Sequence, residues 1–206
     1  SFNFIDGKRV TDKSAVKIVE MVLSGDLNKN IVSSINSQGG NGVGVSGKDA
    51  SLVICEKDHP KLGFVGKPIL INTKLITTLV ENDFIPVISP IGTNEKGETF
   101  NINADTMAGS IASALKADRL LLLTDVEGVK DKNGEKIEKA PLEEIKKLIN
   151  QNIIKDGMIP KVNTAIDAIE KGVRAVVILD GSIQNACLLE LFTDHGVGTL
   201  IREEID

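Results

Sequence analysis

Tryptophan and tyrosine are absent from this 206-residue chain, while glycine is frequent at 19 residues. That balance fits a sheet protein in which the backbone, more than aromatic side chains, approaches the ligand, and it points to small charged ligands. Histidine is nearly as scarce. His59 and His195 are the only two, so a histidine-rich metal site or a Ser/His/Asp triad would have little to draw on, and both read as loop residues. Cys55 and Cys187 lie far apart in apolar surroundings without metal-ligand spacing and read as reduced core residues. A formal charge of −5, with basic residues scattered among acidic ones, gives no footprint for nucleic acid. The longest apolar runs, such as Leu120-Leu121-Leu122-Leu123, are far too short to span a bilayer, and no basic-then-apolar segment follows Ser1. A soluble cytoplasmic chain is expected. GxxxxGK[ST] does not occur, since Asp49 follows Gly47-Lys48, and Gly39-Gly40-Asn41-Gly42-Val43-Gly44 fits neither that spacing nor GxGxxG; the GxGxxG spacing is met at Gly42-Val43-Gly44-Val45-Ser46-Gly47, but inside a β-rich run instead of after one, so P-loop and Rossmann readings are not adopted.

What is present is a 41% apolar composition in a chain long enough for one large domain or two tightly joined halves. Apolar residues at spacings of three and four predict two helices over residues 11–38, joined near Ser24-Gly25-Asp26. Short β-rich runs follow at 42–45, 51–55 and 64–71, including a hairpin, then a helical face at 75–80 and a buried strand at 85–88. A polar turn over residues 94–98 falls within the best internal boundary, residues 92–101. Beyond it the alternation repeats, with a helix at 105–116, a strand at 119–126, and a helix opened by Pro141 at its first position. A helix ending at Gly172, a strand at 175–179, a further helix and a short strand at 198–201 complete the chain. Strands alternating with helices imply an α/β fold with a largely parallel sheet covered on both faces.

In such sheets ligands lie beyond the carboxyl ends of the strands. The loop Ser46-Gly47-Lys48-Asp49 offers N–H groups and a cation to an anion, or is only a turn. In Asn101-Ile102-Asn103-Ala104-Asp105-Thr106, alternation puts Asn101, Asn103 and Asp105 on one side; alternatively Asp105 caps the following helix with Asn103 in the turn. The run from Leu123 to Val129 ends a buried strand where a nucleotide could rest, or is a plain strand exit. Lys161 begins a helix, where the helix's positive end disfavours a further cation unless an anion is near; taken alone, the residue is more often a solvated lysine.

Several stretches in order resemble the acetylglutamate kinases of the amino-acid-kinase family: Asp6-Gly7-Lys8-Arg9-Val10-Thr11, Val45-Ser46-Gly47-Lys48-Asp49, Leu62-Gly63-Phe64-Val65-Gly66, the Asn101 to Asp105 run, Thr124 to Val129, Gly157-Met158-Ile159-Pro160-Lys161, and Phe192 to Thr199. The resemblance runs nearly end to end. It implies a three-layer αβα sandwich of amino-acid-kinase type and phosphoryl transfer from MgATP to the side-chain carboxylate of N-acetyl-L-glutamate, a step of arginine biosynthesis. It further implies that Arg9 pairs with a substrate carboxylate, that Asn101 and Asn103 belong to the substrate site, that Lys161 neutralises the transferring phosphoryl group, and that Asp105 orients the catalytic lysines. Asp125, Val126, Glu127, Gly128, Val129 and Lys130, with Ile153, Gly157 and Met158, would line the nucleotide site, and the hairpin at 57–62 would close over substrate. Residues 1–95 would form the N-acetylglutamate-binding and dimerisation half and residues 96–206 the nucleotide half, with ATP and Mg2+ required, no metal site of the protein's own, and a homodimer as the assembly.

Two departures accompany the resemblance. Family members open with a strand carrying a lysine before two glycines and a second glycine-rich loop, both preceding the point where this sequence starts, which predicts a truncated and inactive or weakly active chain. Loss of one such donor costs on the order of 10²- to 10³-fold in turnover. Arginine-inhibited members carry a histidine five residues before a glutamate and an N-terminal helix that builds a hexamer; here Asn185 precedes Glu190, so arginine inhibition and hexamer assembly lack those features, although Glu190 and Gly196 are kept. The alternative reading is a non-catalytic module that binds an amino acid or nucleotide.

Overall fold

The computed structural model describes residues 4, 5, 8–193 and 195–205; Asp6, Gly7 and Asp194 of the motif stretches lie outside the described residues. The chain divides into two compact units, Ser1–Met107 and Ala108–Asp206.

The first unit opens with an antiparallel pair, β1 (Phe4–Ile5) and β2 (Lys8–Arg9). Asp12 then caps α1 (Lys13–Glu20), its carboxylate accepting the Ser14 hydroxyl at 2.6 Å and the N–H groups of Ala15 and Ser14 at 2.8 Å each, and these bonds, the hydroxyl's foremost, hold the acid below the ordinary carboxylate range. The predicted break near Gly25 does not occur. Instead the helix widens into a π-helical stretch, Met21–Leu27, with Asn28 N–H donating to the Leu23 carbonyl, and continues as α2 (Asn28–Ser37). Tertiary hydrogen bonds hold the wide turn: Ser24 and Ser89 hydroxyls meet at 2.7 Å, and the buried Asn28 amide donates to Val87 O at 2.8 Å and Val45 O at 3.3 Å.

Strand β3 (Gly42–Ser46) follows, then β4 (Val53–Lys57), β5 (Gly66–Ile71), α3 (Lys74–Glu81), β6 (Ile85–Ser89), β7 (Ile91–Thr93) and β8 (Thr99–Asn101). β3 pairs with β6 in parallel; β4 pairs antiparallel with β5, as the expected hairpin, and parallel with β7, which itself pairs antiparallel with β8. The polar turn at 94–98 is therefore the tip of a hairpin whose three-residue strands are too short to show a period. Phe100, Leu52, Val53 and Ile91 fill this unit's core, each worth roughly 1.5–3 kcal/mol of apolar burial. Cys55 is buried among them, and burial pushes its thiol up to about 12. Helix α4 (Ala104–Leu115) runs from this unit into the next.

The second unit continues with β9 (Leu120–Thr124), β10 (Lys139–Pro141), α5 (Leu142–Asn150), α6 (Met158–Glu170), β11 (Val176–Asp180), α7 (Ala186–Phe192) and β12 (Thr199–Arg202). Pro141 is extended at φ −68°, ψ 154° and precedes α5 instead of occupying its first turn. Gly172, at φ +98°, ends α6 as predicted. The sheet order is β10-β12-β11-β9, with β9 and β11 parallel from Leu120↔Val176 to Thr124↔Asp180, and β12 antiparallel to β11. Alternation along β11 defines the layers. Val176 and Ile178 pack with Ile145 of α5 and Val162 and Ala165 of α6, while Val177 and Leu179 pack with Ala186 of α7. A strand this apolar on both faces is a sandwich's inner strand. Cys187, read as a core residue from sequence, is only half-buried on α7. No helix among the described residues is long and apolar enough to cross a membrane.

Candidate active site

In the first unit, residues distant in sequence meet around Thr11, which is 1% exposed. Its N–H donates to Leu62 O at 3.0 Å, its carbonyl accepts from Phe64 N–H at 2.7 Å, and its hydroxyl donates to Arg9 O at 2.9 Å while accepting from the Asn101 side-chain amide at 3.2 Å. Arg9 and Asn101, singled out separately by sequence, are thus tied to one buried threonine. Arg9 is exposed, and Asn101 is half-buried at the end of β8.

Asn103 has a structural task. Its side-chain oxygen accepts the Thr106 N–H at 3.0 Å and the Thr106 hydroxyl at 3.2 Å, so the cap of α4 is Asn103 and not Asp105. The extended alternation ends there because the helix begins at Ala104; Asp105 lies half-buried in the first turn, where the helix dipole favours a carboxylate. The loop at Lys48 is also explained internally. Lys48 Nζ meets Glu20 at 2.7 Å and the Thr99 hydroxyl at 3.0 Å, and Asp49 accepts the Ser46 N–H at 2.6 Å, so both the cation and one of the N–H groups are already engaged. In the segment after β4, Lys57 sits 5.4 Å above the Phe64 ring, and His59 accepts the Lys61 N–H at 3.2 Å to start a short turn that buries Leu62.

The second unit holds a cavity of about 440 Å³. Its walls come from the carboxyl end of β9 and the loop beyond it, through Thr124, Asp125, Val126, Gly128 and Lys130, and from the approach to α6. That approach supplies Ile153, Ile154, Lys155, Gly157, Met158 and Lys161. Eight residues singled out from sequence line this space. Two do not: Glu127 is exposed outside it, and Val129 is 0% exposed and packed into the core. Thr124, the last strand residue, belongs to the run from Leu123 to Val129 read from sequence as a resting place for a nucleotide, whereas Ile154 and Lys155 were not singled out, although they adjoin the Gly157 to Lys161 motif.

The cavity's chemistry is two-sided. Val126, Ile153, Ile154 and Met158 give apolar surface, while Lys130, Lys155 and Lys161 outnumber Asp125. The first turn of α6 contains no acid and its preceding Gly157 offers no side chain, so the positive end of the helix and Lys161 in that turn both favour an anion. Among the described residues no group of three or more His, Cys, Asp or Glu could hold a metal.

Behind the wall, Thr199 is 0% exposed and closes a ring of hydrogen bonds. Its hydroxyl accepts the Val129 N–H at 2.8 Å and donates to Ile137 O at 2.6 Å, and Ile137 N–H donates to Val129 O at 2.8 Å. Gly128, at φ +147°, passes so close that a Cβ there would collide with the Thr199 hydroxyl. Glu190, 8% exposed, accepts the N–H groups of Val197 at 2.8 Å and Gly198 at 3.1 Å, and a Cβ on Gly196 would meet its carboxylate.

The pattern of the amino acid kinase family matches residues 2–180. The acetylglutamate kinase of Ruegeria pomeroyi is 58% identical over 201 residues, covering 98% of this chain and 70% of that protein. A solved Streptococcus mutans protein superimposes with a TM-score of 0.84 at 31% identity, over 99% of this chain and 78% of its own. The N-acetylglutamate synthase of Neisseria gonorrhoeae, solved with coenzyme A and N-acetyl-glutamate, gives 0.89 at 24% identity over 48% of its length and so shares the fold. The α/β sandwich is the amino-acid-kinase architecture, and the chain belongs to the amino acid kinase family, among its acetylglutamate kinases.

Proposed function

We propose that the chain serves ATP-dependent phosphorylation of the side-chain carboxylate of N-acetyl-L-glutamate, with residues 96–206 as the nucleotide half and residues 1–95 as the substrate half. The observation carrying this reading is the 440 Å³ cavity at the carboxyl end of β9, whose apolar side suits a purine and whose lysines and uncapped helix terminus suit a phosphate chain. Magnesium fits as a passenger of the phosphates, since Asp125 is the cavity's one carboxylate and a dedicated cage is not formed.

In the transfer, a carboxylate oxygen of the substrate attacks the γ-phosphorus, the bond to the β-phosphate oxygen breaks, and ADP leaves as the acyl phosphate forms. Both reactants are anions, so the protein's task is to place cations and donors, not a base. Lys161 supplies the ammonium that offsets charge on the phosphoryl group, and Asp105 orients it. Asp125, Val126, Gly128 and Lys130 face the nucleotide from a loop that Glu127 and Val129 complete, with Ile153, Gly157 and Met158 opposite. Arg9 pairs with a substrate carboxylate, Asn101 donates to the substrate, Asn103 shapes the helix start beside it, and the 57–62 hairpin covers the site. The same half carries a homodimer contact, supported by Ile18, Met21, Val22 and Ile31, which stand 42–64% exposed along α1 to α2.

Calorimetric titration with MgADP and with N-acetyl-L-glutamate, beside a coupled assay of ADP release, tests the reading. Binding of both ligands with turnover supports it. Binding of both ligands without turnover is the outcome expected of an inactive or weakly active kinase form, robust turnover would overturn that expectation of low activity, and failure to bind either ligand removes the reading.

A further inference from the structure

We infer that Thr199 is a positioning residue for nucleotide binding: its buried hydroxyl clamps the loop that forms one wall of the cavity. The inference rests on reading that cavity as the nucleotide pocket. Thr199 contributes nothing to the lining itself, and its reach is indirect.

The loop between β9 and β10 must turn away from the strand end and still hold Gly128 and Lys130 against the cavity. Beyond the ring described above, its two arms are joined by a short bridge, Lys130 to Lys136, and near the tip by Asp131 N–H to Glu135 O at 2.8 Å and Glu135 N–H to the Asp131 carboxylate at 2.9 Å, all bonds within the loop itself. A loop of this kind would ordinarily sample many conformations, and ordering it would weaken binding. Thr199 ties that hairpin to β12 beside the wall, satisfying both arms with one hydroxyl that accepts from Val129 and donates to Ile137, while Lys136 Nζ donating to Val197 O at 3.0 Å anchors it further out. The oxygen is inaccessible to water and its bond to Val129 is buried, so loss of the hydroxyl leaves the Val129 N–H unpaired inside the protein and the half-buried Ile137 carbonyl without its donor. Threonine suits the place because its branched Cβ belongs in the strand β12, opposite Ile178, while the hydroxyl faces the loop. Gly128 completes the fit, as any side chain there would occupy the space the hydroxyl needs.

The experiment compares the full chain with Thr199→Val, which keeps the shape and deletes the hydroxyl, and Thr199→Ser, which restores it. MgADP affinity is read by calorimetry well below the unfolding temperature, and exchange of the Val129 and Ile137 amides by NMR. The expected result is an affinity about tenfold or more weaker in the valine variant, faster exchange at both amides, and recovery in the serine variant. A purely architectural role would lower the unfolding midpoint and leave the affinity untouched, and that result overturns the inference. Thr199→Cys, with a weak donor of similar size, is the second variant should valine not fold; wild-type affinity in a folded cysteine or valine variant overturns the inference equally. A wild-type chain that does not bind MgADP overturns the nucleotide reading itself, and the two failures are thereby told apart.

Discussion

The side-chain amide of Asn101 donates to the hydroxyl of Thr11 across 90 residues of sequence, at 3.2 Å. Because that hydroxyl also donates to the Arg9 carbonyl, one buried group sets the positions of two residues proposed to face the same substrate. Thr11→Val is expected to weaken N-acetyl-L-glutamate binding about tenfold while leaving MgADP affinity unchanged, with Thr11→Ser close to wild type. Titration of each variant with the two ligands checks this, and an equal loss for both ligands would refute it.

Lys161 stands in the first turn of a helix without acids at its start. Lys161→Ala should weaken binding of a non-hydrolysable MgATP analogue, and in any preparation with turnover it should lower kcat on the order of 10²-fold or more. Lys161→Arg keeps the charge but changes its shape, and should recover affinity better than rate. Steady-state kinetics beside direct titration separates the two effects.

Asn28 is 2% exposed and its amide serves two strands at once. Asn28→Ala leaves the Val45 and Val87 carbonyls without that donor, and should destabilise the chain by about 1–3 kcal/mol in urea unfolding, without a change in slope. A midpoint equal to wild type would show that the bridge carries no stability.

Burial raises the Cys55 thiol from 9.0 to about 12. The folded state therefore holds its proton in a range where the unfolded chain has released it, so this contribution to stability is complete below pH 9 and is lost as pH rises towards 12. Cys55 should resist alkylation at pH 8 in the native chain, while half-buried Cys187 reacts first. Mass-spectrometric labelling of native protein gives the order of reaction.

Much of the alternation of strands and helices was legible because each long element carries its own period. Val176 to Leu179 could be read as a buried strand, and Met158 to Glu170 as a helix with Lys161 at its start, from local pattern alone. Elements that depend on distant partners were not legible. The β7–β8 hairpin has strands of three residues, too short for a period, and the antiparallel course of β12 is decided by β11. Lys48 looked available to an anion because nothing nearby in sequence announces Glu20 as its partner. Within the cavity, the stretches around Asp125 and Gly157 could be found from strand-end and helix-start logic, whereas Val129 was misjudged because its neighbours line the wall and it turns into the core. Thr199 ends the Phe192 to Thr199 stretch that carries part of the resemblance, but nothing in that stretch announces the role of its hydroxyl, since its partner Val129 lies 70 residues away.

The π-helical stretch at Met21–Leu27 amounts to one surplus residue stored inside a continuous helix. Each residue advances a regular helix by about 100° around its axis, and the wide turn absorbs that advance, so deleting Gly25 would let the stretch rewind as regular helix with everything beyond it still in phase. Asn28 would keep its aim at Val45 and Val87, and α2 its stripe against β3 and β6. The wide turn acts as a phase buffer for α2, and a single-residue deletion there would matter less than one in the regular turns on either side.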